Sequence, residues 1–289
     1  MDVVRRTPDG LRLLGMTLPP HDAAQRLLAP PPLRRAVTAA ADLLRLVVPV
    51  ECPGCHAPDE RLCARCGLRL SAPAVPVPVA SVPVPVWACA AYVGPVSRCV
   101  VAWKDRGRQD LTGALGAVLA RAVAAALVAA PASVPPQVSG PVLLIPVPSS
   151  TAARRARGMD VGAALAHAAA RDLLRRALPA AAGPMLRQRR GVADQAGLGV
   201  ASRRANVDGA FALRRGRRVG AVLAGCPVVV VDDVVTTGAS AAEACRVVGE
   251  HGGRVLAVAT ACWTPRRASP ACARLPPTWP GQTPEAGLH

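Results

Sequence analysis

Aromatic residues are nearly missing from this 289-residue chain: four Trp, one Tyr and one Phe, 2% of the whole. So few rings exclude an extended platform for stacking nucleobases. Acidic residues are scarce too, 18 against 35 basic ones, and Lys104 is the single lysine among the latter. The formal charge of +17 favours phosphate-bearing partners. Arg, Ala, Pro and Gly are inflated together, the pattern GC-rich coding produces, so part of the basicity is compositional. No clean membrane span is present: the most apolar stretch, 111–130, is Ala-rich and broken by Arg121, which suits a helix of a soluble domain. The first residues include Asp2 and lack an apolar segment with a small-residue cleavage site after it. No targeting segment is read there, and a cytoplasmic protein is the expectation.

Apolar residues are plentiful, 51% of the chain, which permits a packed core and excludes wholesale disorder. The length allows one substantial domain with smaller pieces and shows no internal repeat. Residues 1–50 read as an extension ending in a helix over 33–48, with Leu43, Leu44, Val47 and Val48 on one face. Residues 51–70 carry paired cysteines. Residues 71–86, SAPAVPVPVASVPVPV, read as an extended, semi-rigid Pro/Val-rich linker that cannot form a helix.

From 87 to 264 short apolar strands (87–93, 142–147, 228–231, 254–262) alternate with helices (96–104, 111–130, 162–178, 241–250). Wholly apolar strands separated by helices predict an α/β fold with a parallel sheet covered on both faces. Residues 265–289 form a Pro-rich tail expected to be loose.

One stretch carries most of the chemistry: Val228-Val229-Val230-Val231-Asp232-Asp233-Val234-Val235-Thr236-Thr237-Gly238-Ala239-Ser240. It joins a buried strand to a helix through a short loop. Asp232 and Asp233 stand at the carboxyl end of a parallel strand, where open α/β sheets bind ligands. Thr236 to Ser240 offers hydroxyls and a glycine-freed backbone at a helix N-terminus, a cradle for phosphate. Carboxylates for ribose hydroxyls beside such a cradle describe a site for a phosphorylated ribose. The plainer alternative is two aspartates solvating a strand end and threonines capping a helix.

This stretch resembles the phosphoribosyl-pyrophosphate (PRPP) fingerprint of the type I phosphoribosyltransferases. Ile145-Pro146-Val147-Pro148 followed by Arg154, Arg155, Arg157 and Gly158 resembles the strand and basic loop that hold pyrophosphate there. Gln195 and Leu198, then Arg203, Asn206, Val207, Gly209 and Phe211, resemble a Q.GL and R..NV.GAF segment. Lys104 and Gly107 match a K..G element after Tyr92, Gly94 and Pro95. With two CxxC pairs in front, this order resembles that of the ComF family, competence-associated phosphoribosyltransferase-like proteins, from about Cys52 to Trp263. The chain departs from it at Arg157-Gly158-Met159-Asp160-Val161, where relatives often show RGFNQ, and in lacking a further CxxC pair. Residues 1–40 have no counterpart.

The resemblance implies that Asp232 and Asp233 hold the ribose hydroxyls as catalytic residues, and that Thr236, Thr237, Gly238, Ala239 and Ser240 hold the 5′-phosphate. It puts Ser149, Thr151, Arg154 and Arg155 in a pyrophosphate loop, with Lys104 as a further cation, and implies Mg²⁺ bound with PRPP. Departure of pyrophosphate builds positive charge on the ribose ring, and holding Mg²⁺ with the pyrophosphate stabilises the negative charge that develops on the leaving group. The segment from Gln195 to Phe211 could close over such a site. No acceptor pocket and no ammonia-supplying domain are readable.

Cys52-x2-Cys55-x7-Cys63-x2-Cys66 supplies four thiolates, enough for a closed, structural tetrahedral Zn²⁺ site, with Gly54 and Gly67 suiting tight knuckle turns. Alternatives are a redox dithiol pair, or His56 competing as a ligand. Arg61, Arg65 and Arg69 could bring the knuckle to nucleic acid. The remaining six cysteines, Cys89, Cys99, Cys226, Cys245, Cys262 and Cys272, read as small buried hydrophobes or incidental thiols. Two functions follow as expectations: a PRPP-using transferase of unknown acceptor, or a protein handling single-stranded DNA during uptake in natural transformation, with a PRPP-sensing regulator as a third. The oligomeric state is not readable.

Overall fold

Four consecutive valines, Val228, Val229, Val230 and Val231, can be buried only if both faces of their strand are covered, and the molecule is organised around that requirement. The structure, a computed structural model, describes residues 4–7, 10–13, 16–18, 50–130, 141–189, 209–214 and 219–265. The helix read over 33–48, the residues Gln195, Leu198, Arg203, Asn206 and Val207, and the tail beyond 265 lie outside the described residues.

Three short strands, β1 (Val4–Thr7), β2 (Gly10–Leu13) and β3 (Met16–Leu18), form an antiparallel sheet of their own. After the cysteine loops come helix α1 (Ala64–Leu70) and strands β4 (Val75–Pro76) and β5 (Val86–Ala91). Helix α2 (Gly94–Asp105) leads through a short 3-10 turn, Gln109–Leu111, into α3 (Thr112–Val128). Strand β6 (Val142–Pro146) is followed by α4 (Thr151–Arg157), α5 (Val161–Arg175) and β7 (Ala180–Ala182). A two-stranded antiparallel ribbon, β8 (Leu186–Gln188) and β9 (Phe211–Leu213), precedes α6 (Val219–Gly225), β10 (Pro227–Val235), α7 (Ala239–Glu250) and β11 (Arg254–Trp263).

The main sheet has six strands in the order β4-β5-β11-β10-β6-β7, all parallel except β4. Its faces divide the valines of β10: Val229 and Val231 enter one core with α2, α3 and α5, while Val228 and Val230 enter the other with α6, α7 and the β8–β9 ribbon. This alternation is the period-2 geometry of a strand with both faces apolar. The α/β architecture read from the sequence is therefore present, with β10 running on through both aspartates to Val235.

Helix α3 and its leading turn, Gln109–Val128, are apolar and long enough to cross a membrane by length and composition. Its residues Leu115, Val118, Leu119, Ala122 and Val123 are spent in the core. Gly116 is what lets α3 approach α5: a Cβ there would fall 2.4 Å from the Cβ of Ala168.

The Pro/Val-rich stretch is extended, as its prolines require, but it forms the edge of the sheet rather than a free spacer. Val75 and Pro76 pair with Ala88 and Trp87, and the Val77 N–H donates to the Val86 carbonyl at 2.8 Å. Prolines are tolerated on such an edge, where the ladder needs no donor on the outer side. Val82 is buried in the core beneath it.

The α3–α5 contact yields a first expectation. Gly116→Val overpacks a helix pair that has no room for a methyl group, and costs about 1–3 kcal/mol. Denaturant unfolding monitored by circular dichroism reads that loss; a variant as stable as the parent would contradict the close approach.

Candidate functional site

Chain direction creates a crevice between β6 and β10. From β10 the chain passes through α7 to β11 on one side; from β6 it passes through α4 and α5 to β7 on the other. Neighbouring strands whose connections leave in opposite directions open a ligand crevice at their carboxyl ends. A cavity of about 360 Å³ lies there, a size suited to a small ligand. Val147, Pro148 and Ser149 line it after β6, and Asp232, Asp233, Val234, Thr236 and Ser240 along and after β10. Tyr92, with Trp103 and Lys104 of α2, and Val161 with Gly162 of α5, complete the wall.

Asp233 is buried, and its Oδ2 accepts a 2.6 Å hydrogen bond from Lys104 Nζ. The backbone N–H of Asp233 donates to Asp232 Oδ1 at 2.8 Å. Burial opposes the charge on Lys104, yet Asp233 more than compensates and raises the ammonium pKa. Asp232 makes no ion pair among the described residues, and Lys104 offsets its shift only in part. Desolvation, then the Asp233 charge, push its carboxyl well above the ordinary carboxylate range. Lys104, read from the sequence as a cation for pyrophosphate, is thus the counter-ion of Asp233. Tyr92 lines the same cavity, with its phenol pushed up by burial and by Asp233.

The loop after β10 has the geometry of a phosphate cradle. Gly238 sits at the N-cap of α7 with φ +81° and brings no side chain to cap it; the one side-chain acceptor at the helix start among the described residues is Thr237 Oγ1, 3.5 Å from the Ala239 N–H. Helix N-terminal N–H groups left without a side-chain acceptor attract anions. Gly238 is required twice over, because a Cβ would also meet Val79 at 2.3 Å and Ser81 at 2.8 Å. Ser81 Oγ donates to the Thr237 carbonyl at 2.7 Å, so the Pro/Val stretch braces the loop from outside. Thr236 and Ser240 face the cavity; Thr237, Gly238 and Ala239 make the turn between them.

The loop after β6 is brought to the cavity only in part. Ser149 lines it, while Ser150 caps α4 by accepting from the Ala153 N–H at 3.1 Å. Thr151, Arg154 and Arg155 ride on α4 and do not line the cavity. Arg155 is exposed; Arg154 lies 3.8 Å from Asp160, and its buried Nε has no hydrogen-bond partner among the described residues. Asp160, at the position where RGFNQ was expected, caps α5 through the Ala163 N–H at 3.1 Å. Phe211 is buried as a packing residue, and its N–H donates to Glu243 Oε1 at 3.4 Å. Glu243 is itself ion-paired to Arg246.

The four cysteines converge. The Sγ atoms of Cys52, Cys55, Cys63 and Cys66 all lie within 4.8 Å of one another. Tetrahedral Zn–S bonds of about 2.3 Å require S···S separations of about 3.8 Å, so this donor set fits a zinc ion with no position left open. The Cys63 N–H points at Cys52 Sγ and the Cys66 N–H at Cys63 Sγ, both at 3.4 Å, donors that favour thiolate ligands. A hydrogen bond from the Ala57 backbone holds the Cys55 thiol at about 6, whereas burial raises that of Cys66. His56 is not a member of the cluster; it sits at the surface 3.4 Å from Glu51.

Sequence reading missed Tyr92 and Trp103 as cavity walls and the brace from Val79, Ser81 and Val82. Only alternating valines between prolines hinted at that brace as a sheet edge. Compared with protein-family models and with curated proteins, the chain gives no match.

Two expectations follow. The purified protein carries one zinc per chain by elemental analysis, and Cys66→Ser releases it while loosening residues 51–70. The second concerns pH. A carboxyl with a higher pKa folded than unfolded contributes its full stability below about pH 3.9, the unfolded value, and loses it as pH rises through the folded value. Asp232→Asn should therefore melt above the parent at neutral pH, with the gap closing toward pH 4. Thermal unfolding across pH 4–9 decides it; a variant less stable at neutral pH would refute the assignment.

Proposed function

We propose that the chain binds PRPP in the crevice between β6 and β10 and is a phosphoribosyltransferase-like protein resembling the ComF family. The observation that supports it best is the pairing of two carboxylates with a helix N-terminus that opens on Gly238, at one cavity where β6 and β10 diverge. A ribose needs acceptors for vicinal hydroxyls, and a 5′-phosphate needs backbone N–H groups; both lie on the eight residues from Val234 back to Asp232 and on to Ala239.

In this reading Asp232 accepts from a ribose hydroxyl, and Asp233 does so while held by Lys104. Ser240, Thr236 and the N–H groups at the start of α7 take the 5′-phosphate. The turn at Ser149 receives pyrophosphate oxygens. Mg²⁺ fits as an ion held mainly by substrate and water oxygens, and when bound it neutralises charge that develops on departing pyrophosphate. Val147, Pro148 and Val161 keep water from the anomeric carbon. The zinc centre is structural in this reading, because its four thiols leave no position for substrate.

Single-stranded DNA is the second reading, favoured by the net charge of +17 and opposed by a chain holding six aromatic residues. Calorimetric titration separates the two. PRPP with Mg²⁺ should bind saturably, and Asp232→Asn should weaken binding about tenfold or more, the loss of a charged hydrogen bond. A wild-type protein that ignores PRPP yet binds single-stranded DNA with affinity falling steeply in salt would overturn the first reading in favour of the second.

A further inference from the structure

Helix α2 touches both the cysteine centre and the carboxylate pair. Near its start, Arg98 Nε donates to the Gly54 carbonyl at 2.8 Å, inside the first CxxC turn. Cys99, beside it, is completely buried. A Cβ on Gly54 would lie 2.7 Å from Cys66 Sγ and 3.0 Å from Cys99 Sγ, so the turn rests directly on the helix. Near the other end Trp103 and Lys104 line the cavity, and Lys104 holds Asp233 at 2.6 Å. Arg98 and Lys104 are separated by six residues of helix, about 9 Å of rise.

Just beyond α2, Arg108 reaches back to the cysteine loops. It donates to the Glu51 carbonyl at 3.0 Å and to the Arg61 carbonyl at 2.8 Å, one ahead of each CxxC pair. Asp110 fixes the guanidinium through two 2.9 Å bonds. The three carbonyls have these places only while the loops are folded, and folding of such loops is coupled to metal.

We propose that Arg98 and Arg108 are positioning residues through which metal in the four-cysteine centre sets ligand affinity in the Asp232–Asp233 pocket. The inference takes its ligand from the PRPP reading. Losing the metal releases residues 51–63, and with them the tethers at both ends of α2. Lys104 then no longer has a fixed seat against Asp233, and the carboxylate pair faces the cavity without its counter-ion. The bistable element is the cysteine loop pair, and α2 is the rigid connection, the two parts that a coupling between distant sites requires.

The test compares full-length zinc-loaded protein with protein stripped by a chelator, desalted and returned to Mg²⁺. Stripping should weaken PRPP binding tenfold or more and speed amide exchange along residues 94–105 as well as 51–70. In Arg98→Ala/Arg108→Ala, verified to retain zinc, affinity should start low and change less than about twofold on stripping, the non-additivity expected of coupled groups. Arg98→Lys should restore part of the dependence. Equal PRPP affinity with and without zinc, or faster exchange confined to 51–70, overturns the proposal. Should the loaded protein bind no PRPP, the PRPP reading fails, and exchange along α2 decides the coupling by itself.

Discussion

Two adjacent carboxylates at the end of a strand buried on both faces are the constraint from which the rest of the site follows. Burial leaves the pair less water than free carboxylates have, so the fold supplies a charge, a donor or a proton. Lys104 supplies the charge for Asp233, the Asp233 N–H supplies a donor for Asp232, and the remaining cost appears as the raised Asp232 pKa. The only lysine in the chain is placed at this pair, a compact ammonium on a flexible stem.

Much of the architecture was legible because the relevant signals are local. Val228 to Val231 could be nothing but a doubly covered strand, and the alternation of such runs with helices implied a parallel sheet. The four thiols were legible as two CxxC pairs within fifteen residues, with a spacer that the family resemblance supported. What the sequence could not show was long-range: that 71–86 is stitched to the sheet, that Lys104 turns to Asp233, and that Arg154 and Arg155 stay on α4 away from the cavity. Among 34 arginines, one that solvates the surface and one that clamps a carbonyl look alike until a partner far along the chain is known. The Arg108 contacts with Glu51 and Arg61 are of that kind.

The scarcity of aromatic side chains also shapes how the core is filled. Alanine, valine and glycine pack by close backbone approach, as at Gly116 against Ala168 and Gly253 against Val248, where a Cβ would fall within 2.4 Å of its neighbour. Such contacts tolerate little enlargement. Of the few aromatic rings in the core, Trp103 is fully buried and bonds Thr112 Oγ1 through its Nε1 at 2.9 Å, which ties the cavity wall to the start of α3.

The brace of Ser81 on Thr237 joins residues 156 apart, and the Lys104–Asp233 pair joins residues 129 apart. Contacts of such separation close late, since the entropy of a long loop must be overcome before they add stability. The cavity therefore cannot take its shape until β10 has joined the sheet. The four thiols, by contrast, lie within a span of fifteen residues, so their convergence needs no closure of that length.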